Sequence, residues 1–241
     1  MPAAAPLRDT GNDTSQSLWD AVDLVVFDVD GTLYDQRRMR VSMASRLLLH
    51  TAATRSRRTV RVISCYRRLR EEMGDNEVAD FEPALIARTA AAANCPKDVV
   101  HTTVAEWMDE RPLPFLRACR FPGLPDVFSA LRRRAKQIGI LSDYPVVAKL
   151  SALELDADYA VSAGEEGIGI LKPHPKGLQT LIDRAGASPS RTMLVGDRVE
   201  RDGEAAKRIG AQSLIKSSRP IPGWRTFRDY RAAPFDVLLD E

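Results

Sequence analysis

The chain has 241 residues, of which 44% are hydrophobic, and a formal net charge of +2. This length suits one large domain or a core with a subdomain, and the apolar content is enough for an ordinary buried core. The near-neutral charge gives no overall electrostatic reason to expect nucleic acid or a membrane as a partner. No stretch approaches the ~20 apolar residues of a membrane span.

The first residues and the cysteines bear on order and location. Residues 1–20 are rich in Ala, Pro, Asp, Thr and Ser, which predicts a loose N-terminal tail. They also lack the basic start and apolar middle of a signal peptide. Cys65, Cys95 and Cys119 are far apart and form no Cys-x-x-Cys pair. We therefore expect a reducing, cytoplasmic location.

The first apolar run ends in two acids, in the segment VVFDVDGT at residues 25–32. Residues two apart on a strand share a face, so Asp28 and Asp30 are predicted to point into one crevice at the carboxyl end of the strand. Two carboxylates that close repel each other unless a divalent cation lies between them or one of them is protonated. Asp-x-Asp alone is a weak signal, since it is common in turns and helix caps.

Strand signals are absent between Tyr34 and about Arg120, where apolar residues recur at helical spacing. We interpret residues 35–120 as an inserted all-helical cap. It leaves the sheet after the first strand and returns before the second, so it is predicted to cover the strand ends and to exclude water when closed.

The early part of this insertion is crowded with arginine and almost free of acids. The pattern fits a solvated helical face, but arginine also binds phosphate and carboxylate groups in pairs of hydrogen bonds. An anionic substrate, a nucleic-acid backbone and an acidic membrane surface therefore stay open as partners. The arginines are Arg37, Arg38, Arg40, Arg46, Arg55, Arg57, Arg58, Arg61, Arg67, Arg68 and Arg70.

From residue 121 onward, apolar runs alternate with helical patterns, which predicts a doubly wound, mostly parallel, Rossmann-like α/β core formed by residues 21–34 and 121–241. Helices are expected to begin near Gly123 and Tyr144 and to cover 175–185 and 202–209. No role is assigned to residues 217–241. The predicted strands are 24–27, 138–142, 159–162, 192–195 and 212–215.

Further polar residues follow these strands. Ser142 and Asp143 end the second strand, and Asp197 ends the fourth, with Asp202 five residues beyond. Between them lies Lys172, whose backbone is restricted by prolines on its carboxyl side. Carboxylates, a hydroxyl and one cation thus stand at several strand ends, where ligands bind in such folds.

In this order and spacing, the motifs resemble the four motifs of the haloacid dehalogenase-like hydrolase superfamily, most of whose members are magnesium-dependent phosphatases. The resemblance covers Asp23–Thr32 and roughly Phe121–Lys216. Over the intervening segment it extends only to the helical character of a cap inserted after the first motif.

The resemblance implies that Asp28 is a nucleophile that forms an aspartyl-phosphate, and that Asp30 is the general acid and then the base. It also implies Mg²⁺, held by the side chains of Asp28 and Asp197 and by the backbone carbonyl of Asp30. Gly31, Thr32, Ser142 and Lys172 are the expected phosphate-binding residues. Asp202 and Asp143 are expected to support the site from behind, or to cap helices.

The expected function is hydrolysis of a phosphomonoester, on a small anionic or lipid-linked substrate. Halide-removing relatives lack a second carboxylate such as Asp30, which argues against their reaction. A sugar-phosphate phosphomutase and a non-catalytic, basic anion-binding protein are the alternatives. The sequence leaves the physiological substrate and the oligomeric state open.

Overall fold

The structure, a computed structural model, describes residues 10–239, with side chains from residue 15 onward. Its six strands form one parallel sheet in the order β3-β2-β1-β4-β5-β6. The predicted doubly wound α/β class is therefore confirmed. The strands are β1 (Leu24–Phe27), β2 (Gln137–Ser142), β3 (Tyr159–Ser162), β4 (Thr192–Gly196), β5 (Gln212–Lys216) and β6 (Thr226–Phe227).

Eleven α-helices connect and cover the strands within the described residues. They are α1 (Thr10–Asp20), α2 (Gln36–Thr54), α3 (Arg58–Asp75), α4 (Phe81–Ala93), α5 (Lys97–Val104), α6 (Leu113–Cys119), α7 (Leu124–Arg133), α8 (Val147–Leu153), α9 (Lys176–Ala185), α10 (Glu204–Arg208) and α11 (Asp236–Leu239). None of them is long and apolar enough to cross a bilayer.

The central strand β1 is buried on both faces. Val25 and Phe27 belong to one apolar cluster, whereas Leu24 and Val26 belong to a second cluster on the other side. Continuous apolar strands of this kind are typical of parallel sheets covered by helices on both faces. Because β2 and β4 flank β1, the loops that follow these three strands meet at one edge of the sheet.

Helices α2–α6, which we call the inserted helices, lie between β1 and α7. They have an apolar centre of their own, which includes Tyr66, Phe81 and Leu85 and extends to Ala163 and Leu171 in the sheet loops. These helices fall in the segment 35–120 assigned to a cap. The division into a cap and a core stays a prediction.

The loose tail predicted for residues 1–20 is wrong over Thr10–Asp20, which form α1; residues 1–9 lie outside the described residues. Trp19 is fully buried, and its indole Nε1 donates a hydrogen bond to the Pro234 carbonyl oxygen at 2.6 Å. Its ring lies 5.2 Å from that of Phe235. The segment is polar in composition, but its one large apolar side chain, Trp19, attaches α1 to the protein.

The C-terminal segment, whose role the sequence leaves open, packs on the core through β6 and α11. Phe227, Tyr230 and Phe235 form a cluster with ring centroids 5.0 Å apart. The buried Tyr230 hydroxyl donates to the Thr32 carbonyl oxygen at 2.9 Å. This segment therefore supports the loop that follows β1.

Replacing Trp19 tests the anchoring of α1. We expect Trp19→Ala to lower the free energy of unfolding by about 3–5 kcal/mol, because it removes a fully buried aromatic side chain. Urea denaturation measures the change. The control Asp20→Asn alters an exposed neighbour and should shift stability by less than about 0.5 kcal/mol. Equal stability of the two variants would show that α1 is not docked.

Candidate active site

Three carboxylates converge at the carboxyl edge of the sheet. One oxygen from each of Asp28, Asp197 and Asp202 lies within 4.8 Å of the others. Asp28 follows β1, and its backbone N–H donates to the Val195 carbonyl oxygen of β4 at 2.8 Å. The loops after β1 and β4 therefore bring the three acids together, as expected for parallel strands that end at one edge.

Lys172 lies between two of these acids. Its Nζ is 2.5 Å from Asp28 Oδ1 and 2.6 Å from Asp202 Oδ1, and its side chain is 5% exposed. Burial alone would lower the pKa of Lys172, but the charges of Asp202 and Asp28 outweigh it and raise this pKa well above its usual value. One ammonium group against three carboxylates leaves two negative charges uncompensated.

Burial and the uncompensated charge raise the pKa values of Asp28 and Asp197. Burial is the largest cause for Asp197, whose pKa rises to about 6, and the charge of Asp202 adds to it. Burial also raises the pKa of Asp28 well above its usual range, with Asp202 and Asp197 adding to the rise and Lys172 opposing it. Such shifts occur where like charges are forced together, and they often mark functional sites.

Two glycines make room for the acids. Gly31 has φ +98°, a conformation that favours glycine, and a Cβ there would overlap Asp197 Oδ2. At Gly196 a Cβ would overlap the Asp202 carboxylate. Asp197 thus depends on a missing side chain in the loop after β1, and Asp202 on one at the end of its own strand, β4.

Asp30 is held separately from this cluster. Its oxygens lie 2.9 and 2.8 Å from Lys149 Nζ, and the Tyr34 hydroxyl also donates to it. Burial would raise the pKa of Asp30, but the charge and hydrogen bonds of Lys149 and the hydrogen bond from Tyr34 outweigh it, so this pKa is lowered. The sequence predicted that Asp28 and Asp30 share one face at the end of a strand. Because β1 ends at Phe27, Asp30 lies in the loop beyond that strand.

The repulsion predicted between Asp28 and Asp30 is thus relieved here by a separate lysine on each. Lys172 was predicted from the sequence, whereas Lys149, which lies on α8, 119 residues from Asp30, was not. A single lysine in a helix gives no sequence signal of such a partner.

The hydroxyl and backbone groups lie around these charges. Ser142 is 1% exposed, and its Oγ accepts from the Tyr144 N–H at 3.1 Å, which leaves its own proton available to donate. Asp143 Oδ1 accepts from the Lys172 N–H at 3.1 Å and so supports the lysine segment. The buried Thr32 Oγ1 has no hydrogen-bond partner within residues 15–239. Their roles toward phosphate stay predictions.

Asp202 also accepts a backbone hydrogen bond. The Arg198 N–H donates to its Oδ2 at 3.1 Å, while its Oδ1 contacts Lys172. Asp202 thus contacts Lys172, as expected, but it does not cap the helix that follows it: its second oxygen accepts from a residue that precedes it, and α10 begins without a side-chain cap.

Two buried arginines join the inserted helices to the site: Arg70 from the arginine-rich segment, and Arg201, which the sequence did not single out. Arg201 Nη1 donates to the Lys172 carbonyl oxygen at 2.6 Å, and its Nη2 lies 2.6 Å from Asp75 Oδ1 and 3.1 Å from Glu71 Oε2 on α3. Arg70 of α3 donates to the Asp143 carbonyl oxygen. The Asp143 loop after β2 and the Lys172 segment after β3 are thus both tied to α3.

A family model described as haloacid dehalogenase-like hydrolase matches residues 22–210 of this chain. The chain belongs to the haloacid dehalogenase-like hydrolase family. The match spans the three-carboxylate cluster, Lys172 and the inserted helices.

The curated relatives include phosphoglycolate phosphatase from Escherichia coli K12, which is 31% identical over 97 residues. That alignment covers 39% of this chain and only 38% of the relative.

Solved structures give the fold of this hydrolase over most of its length. A 2-haloacid dehalogenase from Pseudomonas syringae has a TM-score of 0.62 at 19% identity, covering 90% of this chain and 98% of its own.

A second solved structure, the magnesium-bound HAD-hydrolase YfnB from Bacillus subtilis, described as putative, has a TM-score of 0.61 at 15% identity. It covers 86% of this chain and 95% of its own. At this identity the likeness concerns the fold alone.

The donor set of this hydrolase fits a divalent cation. Carboxylate oxygens are the hard ligands that Mg²⁺ takes, and the two negative charges left over by Lys172 match the charge of one such ion. Burial is the largest cause of the raised pKa of Asp197, and a bound cation would offset the second cause, the charge of Asp202.

Separation of Lys149 from Asp30 is expected to destabilise the fold. Lys149→Met leaves a buried carboxylate without its cation and should cost about 3 kcal/mol of unfolding free energy. The double variant Lys149→Met/Asp30→Asn should recover much of this loss, because no unpaired charge remains. Thermal and urea unfolding measure both, with exposed Lys207→Met as the control. A double variant less stable than Lys149→Met would contradict the pairing.

Binding of Mg²⁺ should depend on pH through Asp197. The pKa of Asp197 in the folded protein is about 6, above the usual 3.8. Protonation of this group therefore stabilises the metal-free fold fully below pH 3.8, and this stabilisation is lost as pH rises through about 6. The carboxylate needed for binding appears over the same range. We expect the rise in Tm caused by Mg²⁺ to grow between pH ~5 and ~7, and to vanish in Asp197→Asn. A rise independent of pH would contradict this.

Proposed function

We propose that this hydrolase is a magnesium-dependent phosphomonoester hydrolase that acts through an aspartyl-phosphate on Asp28. The observation that carries the proposal is the convergence of Asp28, Asp197 and Asp202 around Lys172. A buried ammonium group in contact with a buried carboxylate suits a nucleophile that must approach an anionic phosphoryl group.

In the first step a carboxylate oxygen of Asp28 bonds to phosphorus while the bond from phosphorus to the ester oxygen breaks. The departing alkoxide takes a proton from Asp30. In the second step water attacks phosphorus, Asp30 takes a proton from that water, and the bond between Asp28 and phosphorus breaks. Lys172 favours the anionic form of Asp28 before each turnover.

Asp30 is held in the form that the second step requires. The lowered pKa and the contact with Lys149 favour the carboxylate, which accepts the proton of water. For the first step Asp30 must carry a proton, so the contact with Lys149 must loosen as the substrate enters.

When bound, Mg²⁺ would offset charge on the phosphoryl oxygens; the side chains of Asp28 and Asp197 and the carbonyl of Asp30 would hold it. The hydroxyl of Ser142 still has a proton to donate to a phosphoryl oxygen. Gly31, whose φ is positive, brings the backbone after β1 close to Asp197.

The organic part of the substrate has a place beside the site. A cavity of about 530 Å³ lies between α3, α4, α5 and the loop after β2, lined in part by Tyr66, Arg70, Asp109 and Tyr144. The Tyr144 ring lines this cavity, and its centroid lies 5.1 Å from Lys149 Nζ, so the cavity is next to the pair of Lys149 and Asp30. A volume of this size admits a small organic group. The Escherichia coli relative makes 2-phosphoglycolate the first substrate to assay.

Release of phosphate from p-nitrophenyl phosphate tests the proposal. We expect Mg²⁺-dependent turnover that falls by at least ~10³-fold in Asp28→Asn, because an amide oxygen is a poor nucleophile toward phosphorus. The matched control Asp156→Asn removes an exposed carboxylate and should keep the parental rate. Isomerisation of a sugar phosphate without net phosphate release would favour the phosphomutase. Anion binding without any turnover would favour a non-catalytic protein.

A further inference from the structure

Helix α2 exposes an apolar face that no part of the described chain covers. Val41, Leu48 and Leu49 are 72%, 71% and 71% exposed. With the exposed Ser45 and Ala52 they follow the spacing i, i+4, i+7, i+8 and i+11, which is one side of a helix. We call these five residues the outer face of α2.

The opposite side of α2 holds the helix on the protein. Met39 is buried and Met43 packs against the main apolar cluster. The His50 ring lies 4.8 Å from the Trp107 ring. The outer face is therefore not needed to dock α2, and its three large aliphatic side chains remain without an internal partner.

Arginines flank the outer face at both ends of a helix that is about 28 Å long. Each of them is exposed, and none forms an ion pair within the part of the chain that the structure describes. Residues 36–70 contain no Asp or Glu. The flanking residues are Arg37, Arg38 and Arg40 at one end and Arg55, Arg57 and Arg58 at the other.

We infer that the outer face of α2 docks on an anionic lipid bilayer. Aliphatic side chains in the centre of a helix, with arginine around them, suit the boundary between headgroups and acyl chains. Arginines close to the surface add attraction to anionic lipids, and their guanidinium groups remain in the headgroup layer. This inference does not depend on the proposed phosphatase activity.

The charges argue against two other occupants. A symmetric dimer brings the same patch of both subunits together, so arginines would face arginines with no acid on α2 to pair with them. Proteins that bind single-stranded nucleic acid usually stack the bases on exposed aromatic rings, but α2 contains no Phe, Tyr or Trp. Only an anionic surface with an apolar interior uses both features of this face.

Co-flotation with vesicles tests the inference. We expect the full chain to float with vesicles of phosphatidylcholine and phosphatidylserine, not with phosphatidylcholine alone, and to dissociate as salt is raised. Leu48→Ser/Leu49→Ser should weaken partitioning at least ~10-fold. Arg55→Ser/Arg57→Ser/Arg58→Ser should weaken it roughly 100-fold.

A matched control removes the same charge elsewhere. Arg133→Ser/Arg219→Ser/Arg228→Ser alters three exposed arginines outside α2 and should stay within about threefold of the parent. All variants should keep the parental Tm, since every altered side chain is exposed.

Absence of flotation with the anionic vesicles would overturn the inference, as would full binding by the leucine variant. A concentration-dependent dimer in analytical ultracentrifugation that the leucine variant abolishes would assign the face to a second copy. Tighter binding to RNA or DNA that the leucine changes leave intact would assign it to nucleic acid.

Discussion

The contact of Lys172 with Asp28 and Asp202 is the interaction on which the rest of the site depends. It joins the loop after β1 to the loop after β4 through one ammonium group. Three buried carboxylates without a cation would be strongly unfavourable, because burial and mutual repulsion both oppose their charged forms. The lysine offsets part of this cost and leaves two negative charges, which makes the cluster receptive to a divalent cation.

The two acids of the Asp-x-Asp segment lie in opposite electrostatic environments. The pKa of Asp28 is raised because burial and two neighbouring acids outweigh Lys172, whereas the pKa of Asp30 is lowered because Lys149 and Tyr34 outweigh burial. Environments that separate the pKa values of two nearby carboxyl groups often mark different roles in one reaction. Here the direction is opposite to that needed in the proposed first step, in which Asp28 is ionised and Asp30 carries a proton, so binding of substrate and cation must change both environments. Asp28 and Asp30 are two residues apart in sequence, but each contacts a different lysine from far along the chain: Lys172 in a sheet loop and Lys149 on helix α8.

Much of the fold could be predicted because its strands are short, apolar and buried on both faces, so each is visible without its neighbours. The bounds of β1 and β3 match the predicted ranges, and β2, β4 and β5 differ by a residue at an end. Helix α1 was missed because a polar composition outweighed the single Trp19. The two-residue strand β6 is too short to leave a pattern.

The candidate site was predictable where a strand end marked a residue, and not where a partner comes from a helix. Asp28, Ser142 and Asp197 each follow an apolar run, so the topology of the sheet implies their proximity. Lys149 and Arg201 look like solvated residues in the sequence, yet both are buried in ion pairs. Their roles depend on which loop folds against which helix, which local sequence does not encode.

The arginines of the inserted helices, which form one block in sequence, belong to two different surfaces. Arg70 is buried, with its guanidinium 4.4 Å from the Tyr144 ring centroid and bonded to the Asp143 carbonyl. Arg57 and Arg58 at the start of α3 are exposed. Helix α3 therefore changes along its length from a solvent-exposed, basic end to an end that is locked onto the site.

The charge of α3 also changes from positive to negative toward that end. Beyond Arg70 it carries Glu71 and Asp75, which pair with Arg198 and Arg201 after β4, and just after the helix comes Glu77, which pairs with Arg208 at the end of α10. The inserted helices cannot separate from the site without breaking these contacts, whereas α2 makes none of them. Helix α2 itself packs on α3, whose ion pairs hold the Lys172 segment in place, and on α6, which packs on the Lys149 helix α8. An event at the outer face of α2 therefore has two routes to the site.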